Sequence, residues 1–103
     1  MQIDRKEVEG QPRKLGTLKG RPVMHVRLKG GLHIIAAAKG MGHETLGMAH
    51  HVAVAKHMAQ RYEPDVVWTE LSKSEHWDIR LYQDMIPAAE ELTARARALE
   101  SQG

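Results

Sequence analysis

Seven cationic side chains, Arg13, Lys14, Lys19, Arg21, Arg27, Lys29 and Lys39, fall between Gly10 and His43, a stretch that contains no aspartate or glutamate. Such groups neutralise anions, and several on one surface hold several phosphates at once, with affinity that depends on salt and little on base sequence. The remainder of the chain is the reverse. Glu44 to Gly103 has ten acids against six bases, and Met1 to Glu9 three acids against two bases, so a net charge of +2 conceals a polarised molecule. Polarity of this kind names the class of partner, an anionic one, and leaves its identity open. Arg21, Arg27, Lys29 and Lys39, assisted by protonated His25 or His33 and extended by Arg61, are the candidate nucleic-acid-binding residues. The scarcity of aromatic residues favours a duplex backbone over stacked single-stranded bases. Solvated strands also carry Lys and Arg for solubility and edge protection, which is the competing explanation.

Seven histidines raise the question of a metal. If His43, His50 and His57 share a helix, their spacing of seven separates them by about 10.5 Å along its axis, too far for one ion. A helical chelate needs spacings of three or four, and the adjacent His50 and His51 would point about 100° apart. His43-Glu44 opens like a zinc-protease motif, but position 47 is glycine where the second histidine belongs. No metal is expected. Ser72, Ser74 and Thr69 lie near Glu70, Glu75 and His76, yet nothing in the spacing fixes a nucleophile, its base and an orienting group together.

Gly40, Gly42 and Gly47 stand where a strand is expected to pass into a helix, a junction whose backbone N–H groups can cradle phosphate. The nucleotide fingerprints fail, however, because Thr45 occupies a glycine position of the dinucleotide motif and Met48-Ala49 replace the P-loop Lys-Ser/Thr pair. The run Ala36 to Gly42 (AAAKGMG), followed by the helix, Val66 to Leu71 and Leu81-Tyr82-Gln83, resembles the coenzyme A loop region of GCN5-type acetyltransferases. The match covers Lys39 to Gly42. That resemblance implies contact of Lys39 to His43 with a pyrophosphate and Tyr82 as a general acid. The family's loop usually begins with Arg or Gln, where this chain has Ala37.

The elements that must position these groups follow from turn formers and periodicity. Residues 1–12 read as a flexible N-terminal arm and 13–103 as a single domain, since 103 residues hold one core. Lys14–Lys19, Val23–Lys29 and Leu32–Ala38 form a three-stranded meander, with Gly30-Gly31 as a two-residue hairpin turn. In the middle strand Val23, His25, Arg27 and Lys29 share one face and Met24, Val26 and Leu28 the other, so one sheet face is expected to be basic and exposed. A helix is expected from about Glu44 to Tyr62, with Met48, Val52, Ala55, Ala59 and Tyr62 facing the sheet and His43, His50, His57 and Arg61 facing solvent. Val66–Leu71 reads as a fourth strand anchored by Trp68. Trp77 to Tyr82 reads as a fifth strand, unless Ser72 and Glu75 cap a helix there. A final helix starts at Asp84 or Ile86, with Met85, Ala89, Leu92, Ala96 and Leu99 as its buried stripe.

The sum is an α+β domain, a mostly antiparallel sheet packed against two helices in the order βββαββα. Twelve alanines and no phenylalanine imply a thin core. The absence of cysteine suits a reducing compartment, and the charged N-terminus and lack of an apolar run of roughly 18 residues fit a soluble, cytoplasmic protein without a membrane span. The expected function is that of a small accessory protein of bacterial or phage type, not an enzyme and without a cofactor, binding nucleic acid or another polyanion through the basic sheet face. Alternatives are a protein-interaction or inhibitor module, possibly a homodimer with an acidic protein surface as partner, and a reduced coenzyme A-dependent acyltransferase.

Overall fold

The computed structural model describes residues 5–69 and 79–102. Five antiparallel strands, β1 (Arg13–Leu18), β2 (Arg21–Arg27), β3 (His33–Lys39), β4 (Gly42–Ala49) and β5 (Val67–Trp68), form one sheet in the order β4-β3-β2-β1-β5, packed against two helices, so the α+β class is as expected. Strands β1, β2 and β3 make the expected meander. Lys19 and Gly20 close the first hairpin with positive φ at both residues, the type I′ turn whose twist suits a two-residue loop.

The second hairpin differs from expectation by one residue. Arg27 lies opposite His33 and His25 opposite Ile35, so the loop holds Lys29, Gly30 and Gly31, not the glycine pair alone. Both glycines have positive φ, 90° and 84°. A one-residue change of register moves side chains to the opposite sheet face. Here it places His25 and His33 on the same face.

The largest correction concerns residues 42–49. They form strand β4 (Gly42–Ala49), reached from β3 through the Gly40-Met41 turn, and the helix α1 begins only at Val52 and ends at Tyr62. The stripe assigned to a helix also contains a strand alternation, and pairing with β3 satisfies the backbone of both strands. His43 therefore sits on β4 and His50 just beyond it, while His57 and Arg61 alone remain on α1, so the helical histidine row does not form. A strand also follows Gly42 where the acetyltransferase resemblance implied a helix. The strand–loop–helix cradle is not built.

Strand β5 is two residues, Val67–Trp68, paired with β1. Gly16 on β1 makes that pairing possible, because a Cβ there would overlap the Val67 carbonyl oxygen. Trp77 and Asp78 lie outside the described residues, as do Glu70, Leu71, Ser72, Ser74, Glu75 and His76. Ile79–Met85 is a 3-10 helix, not the end of a fifth strand, and it leads directly into α2 (Ile86–Gln102). Residues 5–9 run beside the end of β2, with Glu9 N–H donating to Arg27 O and Lys29 N–H donating to Glu7 O.

The main core lies between α1 and one face of the sheet, where Leu18, Val23, Ile35, Leu46, Val54 and Met58 are buried together. Each of two bulges, one in β1 and one in β4, adds a leucine to it, Leu15 and Leu46. Alanines make this core close instead of thin: Gly47 lies so near α1 that a Cβ would overlap the Ala55 carbonyl oxygen. A smaller cluster on the other face joins Ile34, Ala36 and Met48 to Ala96 of α2, flanked by Leu92.

Helix α2 also closes the outer edge of β4, which has no neighbouring strand among the described residues. Thr93 Oγ1 accepts from Met48 N–H at 3.0 Å, Arg97 donates to the carbonyls of Thr45 and Leu46, and Glu100 accepts from Thr45 N–H at 2.8 Å and from its hydroxyl at 2.6 Å. Positions 93, 97 and 100 share one helix face. Backbone groups that would otherwise invite another strand are thereby occupied.

Candidate anion-binding surface

The structure divides the candidate residues between the two ends of the sheet. Arg21 and Arg27 bound β2, and six residue steps along the strand set them about 20 Å apart. Their face is not the open basic surface expected, because Val23 between them is fully buried beneath α1 and His25 is half-buried. The apolar demand of the sheet outranks its charge pattern: face polarity in a middle strand is decided by what packs on it.

At one end, Arg21 is held structurally. Its Nη1 donates to Ala38 O at 3.1 Å, and its Nη2 lies 3.3 Å from Glu44 Oε1. Lys39, exposed at the end of β3, borders an open cleft of about 710 Å³ that also touches His43, Glu44, Tyr62, Arg97 and Glu100. The Arg97 guanidinium stacks 3.4 Å from the Tyr62 ring centre, and burial lowers its pKa against the pull of Tyr62 and nearby carboxylates. Two carboxylates line this cleft, and each is already engaged. Arg61, exposed on the last turn of α1, stands 3.9 Å from Glu90.

The other end gathers positive groups around a histidine pair. His25 Nε2 and His33 Nδ1 are 2.9 Å apart and their rings lie within 16° of parallel, a direct imidazole–imidazole hydrogen bond. Arg13 stands opposite His25 across the β1–β2 ladder, and Arg27 opposite His33 across β2–β3. Burial is the main cause that holds the His25 pKa down to about 4, followed by the positive influence of His33, Lys56, Arg13 and Arg27. His33 is lowered too, by burial and then by Arg27, His51 and His50. His51 caps α1, accepting from Ala53 N–H at 3.1 Å, and its ring stacks on Tyr82 at 4.2 Å. Tyr82 thus serves as a packing partner of the helix cap. Lys56 is 4% exposed, with its ammonium 5.8 Å from the Trp68 ring centre.

Of the surrounding cations, Arg13, Lys14 and Lys29 are exposed and pair with no carboxylate among the described residues. Arg27 lies 3.7 Å from Glu9, both about half-exposed, a geometry that contributes under about 1 kcal/mol and that an incoming anion can displace. Lys19 has a similarly loose contact, 3.9 Å from Asp65. The site thus contains Arg27, Lys29, His25 and His33 from the expected set, leaves Arg21, Lys39 and Arg61 at the far side, and adds Arg13 and Lys56. The hairpin register is what joins His33 to His25, and the signal for Arg13 was its place on the neighbouring strand.

Among the described residues no three His, Asp or Glu side chains are arranged to hold a metal, and no helix is long and apolar enough to cross a membrane. No known protein family, no curated protein and no solved structure matches the chain.

Proposed function

We propose that this protein is a non-catalytic accessory module that binds a polyanion, with the phosphate backbone of a nucleic-acid duplex as the partner, in the reducing cytoplasm. The contact surface is the end of the sheet formed by Arg13, Arg27 and Lys29, not its open face. One observation carries the reading: Arg13 and Arg27 stand directly across the strands from His25 and His33, and the exposed Arg13 and Lys29 pair with no carboxylate among the described residues. A positive focus of this kind attracts phosphate over a Debye length of about 8 to 10 Å, and rigid strands hold the donors in place.

Three cations each meeting one phosphate predict a salt slope of about −2.7, or about a 40-fold loss of affinity between 50 and 200 mM salt. Fluorescence anisotropy with a 20-base-pair duplex checks this. Arg27→Glu is expected to weaken binding to all sequences alike and to reduce the slope, whereas Lys39→Glu at the far end leaves both nearly unchanged. Absence of binding at 50 mM salt ends the proposal.

A further inference from the structure

The geometry points to a proton-coupled site: a phosphate that binds beside Arg13 and Arg27 is accompanied by one proton taken up by the His25–His33 pair. This rests on the polyanion reading and concerns the regulation of that same surface.

The contact of 2.9 Å between His25 Nε2 and His33 Nδ1 requires one ring to donate and the other to accept. Two neutral rings share two N–H groups, one in the bridge and one on an outer nitrogen. A single outer nitrogen is then left bare. A proton from solvent can occupy it, giving an imidazolium hydrogen-bonded to an imidazole with the bridge intact. A second proton would set two N–H groups against each other at 2.9 Å and break the contact. The capacity of the pair is therefore one proton.

The surroundings decide when that proton is accepted. Arg13 faces the pair from β1, Arg27 from β2, His50 and His51 from the junction of β4 and α1, and Lys56 from α1. All are cationic or become so on protonation. In the free protein the pair stays neutral because its burial and these neighbours oppose added charge. A phosphate brings the missing counter-charge, so anion and proton each favour the other, and by linkage each raises the other's affinity equally.

Affinity for a 20-base-pair duplex measured from pH 7.5 to 5.5 at 50 mM salt tests this, with calorimetry at pH 6 in two buffers of different ionisation enthalpy. Expected is a tightening of up to tenfold per pH unit and a net uptake between zero and one proton. The variant His25→Gln/His33→Asn, which has no titratable ring at the pair, is expected to lose that pH response and the proton uptake. Binding that is constant across the range, or a pH response that survives in the double variant, overturns the coupling alone. Absence of binding at every pH overturns the polyanion reading and the coupling with it.

Discussion

Thr93→Val removes one hydroxyl from the seam between α2 and β4 while keeping the side chain's shape. Thr93 is 3% exposed and Met48 is 4% exposed, so water cannot replace what is lost. In the native protein Thr93 Oγ1 accepts from Met48 N–H at 3.0 Å and has Ala89 O at 2.7 Å and Met48 O at 3.2 Å as acceptors. Its single proton serves one carbonyl at a time, and Ala89 O also lies within the helix ladder, so the group left without a partner is the Met48 N–H. A buried donor stranded this way costs about 2 kcal/mol. For a domain of this size that lowers Tm by about 8 to 16 °C. Thr93→Ser keeps the hydroxyl and loses one methyl, a cost of about 0.8 kcal/mol. Urea unfolding ranks the two variants, and native-state hydrogen exchange reads the Met48 amide directly. Protection of that amide should fall in Thr93→Val and persist in Thr93→Ser. A valine variant at least as stable as the serine variant, with unchanged Met48 protection, refutes the view that α2 side chains stand in for a sixth strand.

Gly47→Ala is expected to destabilise by about 3 kcal/mol in chemical denaturation, because the new Cβ would meet the Ala55 carbonyl oxygen and the Ala59 nitrogen, neither of which can yield without shifting α1; a cost below about 1 kcal/mol would show that the helix moves freely. Gly30→Ala, at φ 90° with open space around it, should cost only about 1 kcal/mol through backbone strain. Stability should also fall as the pH drops from about 6.5 towards 4, since the unfolded His25 takes up a proton in that window while the folded ring stays neutral until pH 4. The contribution of His25 is about 1 to 2 kcal/mol once solvent screening of a half-buried ring is allowed for, and His25→Gln should flatten the denaturation midpoint across that range.

The meander, the final helix and the fold class are legible in the residues because turn formers and period-two alternation act locally. Gly20 and the Gly30-Gly31 pair announce two hairpins through glycine's tolerance of positive φ, although Lys19, read as the end of the first strand, shares the first turn. Residues 42–49 mislead because Leu46 and Met48 alternate as a strand requires, while Met48 also opens the helical spacing to Val52 and Ala55. Length of the preceding strand could not arbitrate, but the Gly40-Met41 turn did. Glycine at 47 reads as a phosphate-loop residue until α1 is seen to press against it. The candidate site was half legible: the acid-free block identified the cations, and the register that joins His25 to His33 depended on whether the loop holds two residues or three. Ion pairs such as Arg21–Glu44 join positions 23 apart, and pairing at that range has no local signal.

The two ends of the sheet show why a count of cations is a poor guide to binding. Arg21 is second in no respect to Arg27 in sequence context, since both sit in the acid-free block and both bound the same strand. Yet Arg21 has a backbone acceptor and a carboxylate with side-chain exposures of 34% and 20% for the pair, whereas Arg27 and its carboxylate stand at 54% and 52%. To engage a phosphate, Arg21 must give up the Ala38 carbonyl and leave Glu44 partly buried and uncompensated, a loss larger than a solvent-screened contact returns. Arg27 gives up only a loose, hydrated pair. The distinction comes from the closure of the β4 hairpin on β3, which carries Glu44 to the Arg21 end and leaves the Arg27 end with histidines. The same closure that buries the main core thus selects which part of a uniformly basic segment remains available to an anion.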